Sequence, residues 1–157
     1  MSGGLWLNRL ANPWSASGAA NVYVSLPLRR LPMRAHSGHV KFDRSVTWKK
    51  MLPAFRPLFT KFLEESGQMP QDPEILAVLV EENLRDLREN RKPEGYNREG
   101  TMRLMFPISK STEFYVYSRT KTTEVGRVVE ALSRILQKYR LKHTVEWDKL
   151  LAFQDKK

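Results

Sequence analysis

The chain has 157 residues, a formal net charge of +10, no cysteine and a hydrophobic share of 41%. That length and hydrophobic share suffice for one folded domain with tails. The missing cysteines exclude disulfide bonds, thiolate catalysis, iron–sulfur ligation and zinc sites that need Cys, and no apolar run reaches the roughly 18 residues that predict a transmembrane helix.

The first 46 residues form a basic segment, for which we predict an extended arm. Residues 1–50 contain eight lysines and arginines and one acid, Asp43. Pro27 and Pro32 enclose a basic stretch and favour extended backbone there, and short strands are compatible with residues 21–26 and 38–42. An Arg-rich, Ser-rich, acid-poor segment is typical of a mitochondrial targeting sequence, which predicts a location in the mitochondrial matrix. A basic arm that contacts RNA is the alternative, and both can hold.

The next segment is predicted to form a first, interrupted helix. Apolar residues between Trp48 and Phe62 recur at the i, i+3, i+4, i+7 spacing of an amphipathic helix. Pro53 and Pro57 disfavour a regular helix throughout. We therefore predict a short first turn, a kink, and helix from Pro57 to about Glu65.

A second helix is predicted to begin at Asp72-Pro73-Glu74. This tripeptide supplies an N-cap, a proline at the first helical position and an acid in the first turn. Its predicted buried face consists of Ile75, Leu76, Leu79, Val80, Leu84 and Leu87. Residues 51–95 contain six bases and nine acids, so we expect this helical middle to face protein neighbours.

The C-terminal half is predicted to contain a hairpin, a long helix and a last strand. Alternating apolar residues indicate strands over 102–108 and 112–119, joined by 109–111. An apolar stripe without a gap from Val125 to Tyr139 predicts the long amphipathic helix, and alternation over 141–148 predicts the last strand. Residues 150–157 are expected to be a short helix or a tail.

These elements predict an α+β fold: a small sheet, made of the hairpin and the C-terminal strand, packed by amphipathic helices. An extended basic arm at residues 1–46 precedes a single α+β domain at residues 47–157.

No motif in the chain points to catalysis. There is no P-loop, G-x-G-x-x-G, H-E-x-x-H or G-x-S-x-G, and the acid pairs at 64–65 and 81–82 are typical of solvated helix faces. His36 and His39 lie in a predicted basic loop, where a solvated or phosphate-facing role is favoured over a metal site. His143 falls on the apolar side of the last strand, as expected for a core or interface histidine. We expect no enzymatic activity, metal, cofactor or small-molecule substrate.

Two groups of cations are candidates for contact with phosphate. One surrounds the junction of arm and domain. The other lies on and around the long helix, where Arg127, Arg134 and Lys138 form a basic stripe beside the apolar one, with the short Ala131 between them. Such charges attract a polyanion largely irrespective of its sequence, and plain solubility is the alternative. The predicted RNA-binding residues are Arg29, Arg30, Arg34, Lys41, Arg44, Lys49, Lys50, Arg119, Lys121, Arg127, Arg134, Lys138, Arg140 and Lys142.

Two tyrosines of the second hairpin strand share one face. Tyr115 and Tyr117 are candidates for base stacking if that face of the sheet is open. Packing under the N-terminal arm or against a neighbouring protein is the alternative, and at the level of sequence it is the favoured one.

The stretch PLRRLPMRAHSGHVKFDRSV, residues 27–46, resembles the start of a mitochondrial small-subunit ribosomal protein family. That family has a thioredoxin-like domain, which is shared with a large-subunit mitoribosomal protein and with an accessory subunit of respiratory complex I. The segment 112–136 is similar to the last strand and helix of such a domain. The resemblance implies that Arg29 and Arg30 contact ribosomal RNA. The acidic two-helix middle of this chain departs from the family pattern. The strand–helix–strand segment that opens the family's domain is also missing from this chain.

The sequence therefore predicts a structural, RNA-contacting protein of the mitochondrial ribosome, with ribosomal RNA and neighbouring protein subunits as partners. The alternative is a non-catalytic accessory subunit of a respiratory or ATP synthase complex, in which the positive charge meets acidic proteins or cardiolipin.

Overall fold

A five-stranded antiparallel sheet organises residues 34–149, which are the residues described by the computed structural model. The elements follow one another as β1 (Ala35–Phe42), a turn of 3-10 helix (Lys49–Met51), α1 (Leu52–Glu65), α2 (Pro73–Arg88), β2 (Gly95–Tyr96), β3 (Arg103–Met105), β4 (Glu113–Thr122), α3 (Thr123–Lys138) and β5 (His143–Trp147). The predictions made for residues 21–26 and 150–157 lie outside the described residues.

The strand order is β2-β3-β4-β1-β5, so β1 lies between β4 and β5. Val40 of β1 is opposite Phe114 on one side and opposite Val145 on the other. Since β1 is antiparallel to both neighbours, β4 and β5 run in the same direction, and α3 connects them. The β4-α3-β5 unit is thus split by a strand from the beginning of the described chain.

The predicted α+β class with a small sheet is confirmed, and the sheet is larger than predicted. The predicted hairpin is the β3–β4 pair, and the predicted last strand is β5. The predicted division between residues 46 and 47 does not coincide with the start of the folded region, because β1 lies inside the predicted arm and occupies an interior position in the sheet. Its buried side chains Val40 and Phe42 belong to the core.

Both prolines of α1 are accommodated in one helix, which begins at Leu52 and not at Pro57 as predicted after the short first turn, and which ends at Glu65 as predicted. Pro53 lies in the first turn, where its missing N–H has no intrahelical acceptor in any case. Pro57 lies inside α1 and lacks an N–H for the helix ladder. The full burial of Phe55, Leu58 and Phe59 around it offsets that cost.

The start of α2 is confirmed by its cap. The carboxylate of Asp72 accepts a hydrogen bond from the backbone N–H of Glu74 at 2.9 Å, and Pro73 occupies the first turn. Leu79, Val80 and the later apolar residues of α2 are buried as predicted. Ile75 is not, since 47% of it is exposed.

The hydrophobic core lies between the helices and one face of the sheet. Phe55 and Phe59 of α1, Phe114 of β4 and Leu132 of α3 are fully buried there. Gly38 lets α3 lie directly on β1: a Cβ at this position would lie 2.5 Å from Cγ2 of Val129.

A buried asparagine joins α2 to the short edge strand β2. Asn83 Oδ1 accepts the backbone N–H of Gly95 at 2.7 Å, and Asn83 Nδ2 donates to the Leu79 carbonyl at 2.8 Å. Gly95 has φ +80°, and a Cβ there would lie 2.3 Å from the Leu104 carbonyl oxygen. The side-chain amide therefore satisfies a backbone group at a position that favours glycine.

Candidate nucleic-acid interface

Predicted cations meet at one end of the sheet, where β1 ends and β5 begins. The backbone N–H of Asp43 donates to the carbonyl of Lys142 at 2.9 Å, which places Asp43, the residue before Arg44, beside Lys142. Lys41 lies two residues earlier on β1, opposite Thr144 of β5 on one side and opposite Glu113 of β4 on the other, although no ion pair forms between Lys41 and Glu113. The exposed cations grouped at this end, called the basic end below, are Lys41, Arg44, Lys50, Lys138, Arg140 and Lys142.

Local hydrogen bonds position the charges of the basic end. Lys50 Nζ donates to the carbonyl of Ser45, the residue after Arg44, at 2.6 Å. The Asp43 carboxylate accepts the Ser45 hydroxyl at 2.6 Å. That bond, with a smaller effect of Lys142, holds the pKa of Asp43 below its usual value. Asp43 is thus an ionised acid within a group of cations that outnumber it.

The end of α3 and the turn after it supply the other cations of the basic end. Lys138 lies in the last turn of α3, and Arg140 follows with φ +58°. Within residues 34–149, none of the cations of the basic end forms an ion pair with a carboxylate. Lys49, also predicted, is exposed nearby, and its backbone N–H donates to Asn90 Oδ1 at 3.0 Å.

A second group of predicted cations lies at the opposite end of the sheet. Ala35 of β1 is opposite Thr122 of β4, which brings Arg34 near Lys121 and the start of α3. Arg119 pairs with Glu99 at 3.9 Å, and both side chains are more than three-quarters exposed (77% and 89%). An exposed pair of that length contributes little to stability.

The basic stripe predicted on α3 is partly neutralised by the helix itself. Arg127 pairs with Glu124 at 2.8 Å, and Arg134 pairs with Glu130. Both are local pairs at i,i+3 or i,i+4 spacing, which sequence inspection can detect. Of the three stripe residues, Lys138 alone contributes an unneutralised charge within the described part of the chain.

Among residues 34–149, no helix covers the face of the sheet opposite α1 and α3, which is called the open face below. It contains three cross-strand rows: Met105, Tyr115, His39 and Glu146 in the first, Arg103, Tyr117 and Ser37 in the second, and Glu113, Lys41 and Thr144 in the third. The alternation of β1 explains the division: Gly38, Val40 and Phe42 point to the core, whereas Ser37, His39 and Lys41 point away. None of the residues of the open face belongs to the hydrophobic core.

Two aromatic rings are stacked on the open face. The rings of His39 and Tyr115 have centroids 4.8 Å apart and planes inclined by 24°. Both side chains are half-buried, as is Tyr117. Partial burial, with a contribution from the nearby Tyr117 phenol, raises the pKa of Tyr115.

His39 is neutral in this setting. Burial, and then the charge of Lys149, lower its pKa to about 4, against the opposing effects of Glu146 and Asp148. The Ser37 hydroxyl and His39 Nε2 form a hydrogen bond of 3.1 Å. His36 and His39 therefore both lie on β1, which confirms the short strand predicted at residues 38–42 and extends it back to Ala35, so the loop expected around the two histidines is wrong.

The other two histidines form hydrogen-bond contacts within the fold. His143 is buried, with Nε2 2.6 Å from the Ser133 hydroxyl and Nδ1 2.8 Å from the Leu141 carbonyl, which confirms the expected core histidine. His36 Nδ1 lies 3.3 Å from the Ser118 carbonyl. Among residues 34–149, no three histidine or acidic side chains are grouped in a way that could hold a metal ion.

Arg29 and Arg30, the contacts implied by the resemblance, lie outside the described residues. None of the helices described here is long and apolar enough to cross a membrane. Comparisons of the chain with protein-family models, with curated proteins and with solved structures find no match.

Proposed function

We propose that this chain is a structural, RNA-contacting protein of the mitochondrial ribosome, and that the basic end is its main contact with ribosomal RNA. The observation that carries the proposal is the clustering of exposed cations on adjoining strands and turns, without carboxylate partners in the described residues. Lys41, Arg44 and Lys142 form the centre of this cluster. Protein surfaces that dock on RNA irrespective of sequence use cations of this kind against phosphate.

The assignment of this chain to a mitochondrial ribosome is supported by its sequence and not by the geometry of the basic end. The basic, acid-poor N-terminal segment is typical of mitochondrial targeting, and residues 27–46 resemble a mitoribosomal protein family. The acidic α2 exposes 47% of Ile75 and 56% of Val78 on its outer side, and we assign that side to a protein neighbour.

The RNA contact is tested with paired neutralising variants of the full chain. Lys41→Gln with Lys142→Gln removes two charges from the basic end, and Arg56→Gln with Arg85→Gln removes two exposed charges from α1 and α2. Binding to a structured RNA is measured by fluorescence anisotropy over a range of salt concentrations. The first pair is expected to weaken binding and to lower the salt slope by roughly two, about one for each phosphate that is no longer neutralised.

The control pair should leave both the affinity and the slope almost unchanged. Equal losses in the two pairs would contradict a localised contact, because they would reflect net charge alone.

Sedimentation of the tagged protein from a mitochondrial lysate tests the assembly. Co-migration with ribosomal particles that RNase treatment abolishes is the expected result. Co-migration with a respiratory or ATP synthase complex, unaffected by RNase, would contradict the ribosomal assignment and support the accessory-subunit alternative.

A further inference from the structure

We propose that the open face of the sheet, centred on Tyr115, Tyr117 and His39, binds unpaired bases of RNA. This inference rests on the RNA contact proposed above and names the part of the RNA that the sheet would take. It assigns to the tyrosines the role of a stacking platform.

The geometry of the rings suits unstacked nucleotides. Tyr115 and Tyr117 lie on the same face of β4 two residues apart, which is roughly 6.8 Å along an antiparallel strand. That is about twice the 3.4 Å spacing of nucleotides along a duplex strand. Two bases resting on the two rings would therefore belong to an extended single strand, with its bases splayed apart.

The His39 ring supports one side of this platform. It stacks face to face on Tyr115 with a centroid separation of 4.8 Å, so it covers one face of the Tyr115 ring and fixes the orientation of that ring. Met105 continues the same row on β3. Every base has a π-face, so such a surface accepts bases with little sequence preference.

Charges of both signs lie on this face: Glu146 is in the same row as His39, and Glu113 is opposite Lys41. Arg103 lies opposite Tyr117 and donates to Asn97 Oδ1 at 3.0 Å, leaving its charge uncompensated by a carboxylate among the described residues. Lys149 pairs with Glu146 at 3.5 Å, which largely cancels both. Beyond the rows lie the basic end on one side and Arg34, Arg119 and Lys121 on the other. A strand running between the two ends meets cations at both.

RNA fits this face better than the chain's own N-terminal segment. Residues 1–33 contain Arg9, Arg29 and Arg30 and no acid. Laying that segment across a platform flanked by cations at both ends would bring like charges together, whereas a phosphate backbone is complementary to them.

The experiment uses the full chain and two fluorescent probes. The first is a single RNA strand of about 12 nucleotides, a length within the usual site sizes for single-strand binders. The second is the duplex that this strand forms with its complement. Tyr115→Leu and Tyr117→Leu remove the rings while keeping apolar side chains, and Tyr115→Phe and Tyr117→Phe are the matched controls that keep the rings. We expect each leucine variant to bind the single strand about 10-fold more weakly. The phenylalanine variants should bind it as the wild type does, and no variant should change duplex binding.

The outcomes separate this inference from the proposed function. Unchanged single-strand affinity in the leucine variants, with RNA binding still dependent on Lys41 and Lys142, overturns the platform and leaves the RNA contact standing. Absence of binding to either RNA by the wild-type chain overturns both.

A second measurement avoids any effect of the substitutions on folding. The wild-type chain is cross-linked by light to a strand containing 4-thiouridine, and the modified peptides are identified by mass spectrometry. Cross-links at Tyr115, Tyr117 or His39 support the platform. Cross-links confined to other peptides, as expected if the N-terminal segment or another protein covers the face, contradict it.

Discussion

At the scale of single residues, His39 shows how a side chain acquires its properties from the strand on which it lies. In a loop it would be solvated and would titrate near the ordinary histidine pKa of 6.5. On β1 it stacks on Tyr115 and its pKa falls to about 4. Alternation over residues 37–42 predicts which face His39 occupies, but the stacking depends on Tyr115, which lies far away in sequence.

This pKa predicts that the stability of the protein decreases in weak acid. The unfolded chain binds a proton on His39 near pH 6.5 and the folded chain only near pH 4. The free energy of unfolding therefore falls as pH drops through that window, because the unfolded state binds more protons. For a partly exposed ring we expect a loss of about 2 kcal/mol, measured by urea unfolding at several pH values.

His39→Phe is the matched control, because it keeps a ring against Tyr115 and removes the titration. The pKa of His143 is also lowered by burial, so some acid sensitivity should remain in this variant. A wild type and a His39→Phe variant with identical pH dependence would contradict the assignment.

At the scale of elements, the contact between α3 and β1 depends on the small size of Gly38. A methyl group there would lie 2.5 Å from Val129 Cγ2 and 2.9 Å from Trp147 Cζ3. Neither the apolar stripe of α3 nor the alternation of β1 indicates such a close approach, because each pattern describes one element only.

We predict that Gly38→Ala destabilises the fold by about 2 kcal/mol through overpacking against α3. Val129→Ala makes room for the added methyl group. The loss in free energy of unfolding of the double variant should therefore be about 1 kcal/mol smaller than the sum of the losses in the two single variants. Denaturant unfolding of the four proteins measures this coupling.

Gly67→Ala provides the comparison. Gly67 has φ +69° and open space around its Cα, so its substitution is expected to cost about 1–2 kcal/mol through backbone strain alone. That cost should add to the cost of Val129→Ala without coupling. Equal coupling at both glycines would contradict the packing explanation.

At the scale of the whole molecule, residues 34–149 share one hydrophobic core. Trp48 contacts Phe106 beside α1, and Trp147 packs at the far edge of the sheet on β5. Contacts link these regions through the central strands, so the part of the chain described here is expected to unfold as one unit.

Two single-tryptophan proteins test this prediction. Trp6→Phe with Trp14→Phe is the common background, to which either Trp48→Phe or Trp147→Phe is added. Each remaining tryptophan should report the same urea midpoint by fluorescence as circular dichroism gives for that protein. A midpoint for Trp147 well below the circular dichroism midpoint of the same protein would show that β5 separates before the rest.

The sequence by itself determined the local elements: the amphipathic α3, the capped start of α2, the hairpin and the last strand. These depend on periodicity, caps and turn residues that are close together along the chain. Only the tertiary structure decided that β1 lies between β4 and β5, that Pro57 continues α1, and that Tyr115 meets His39 on the face of the sheet opposite the described helices. Strand pairing and burial join residues distant in sequence, and their outcome depends on which apolar faces cover one another.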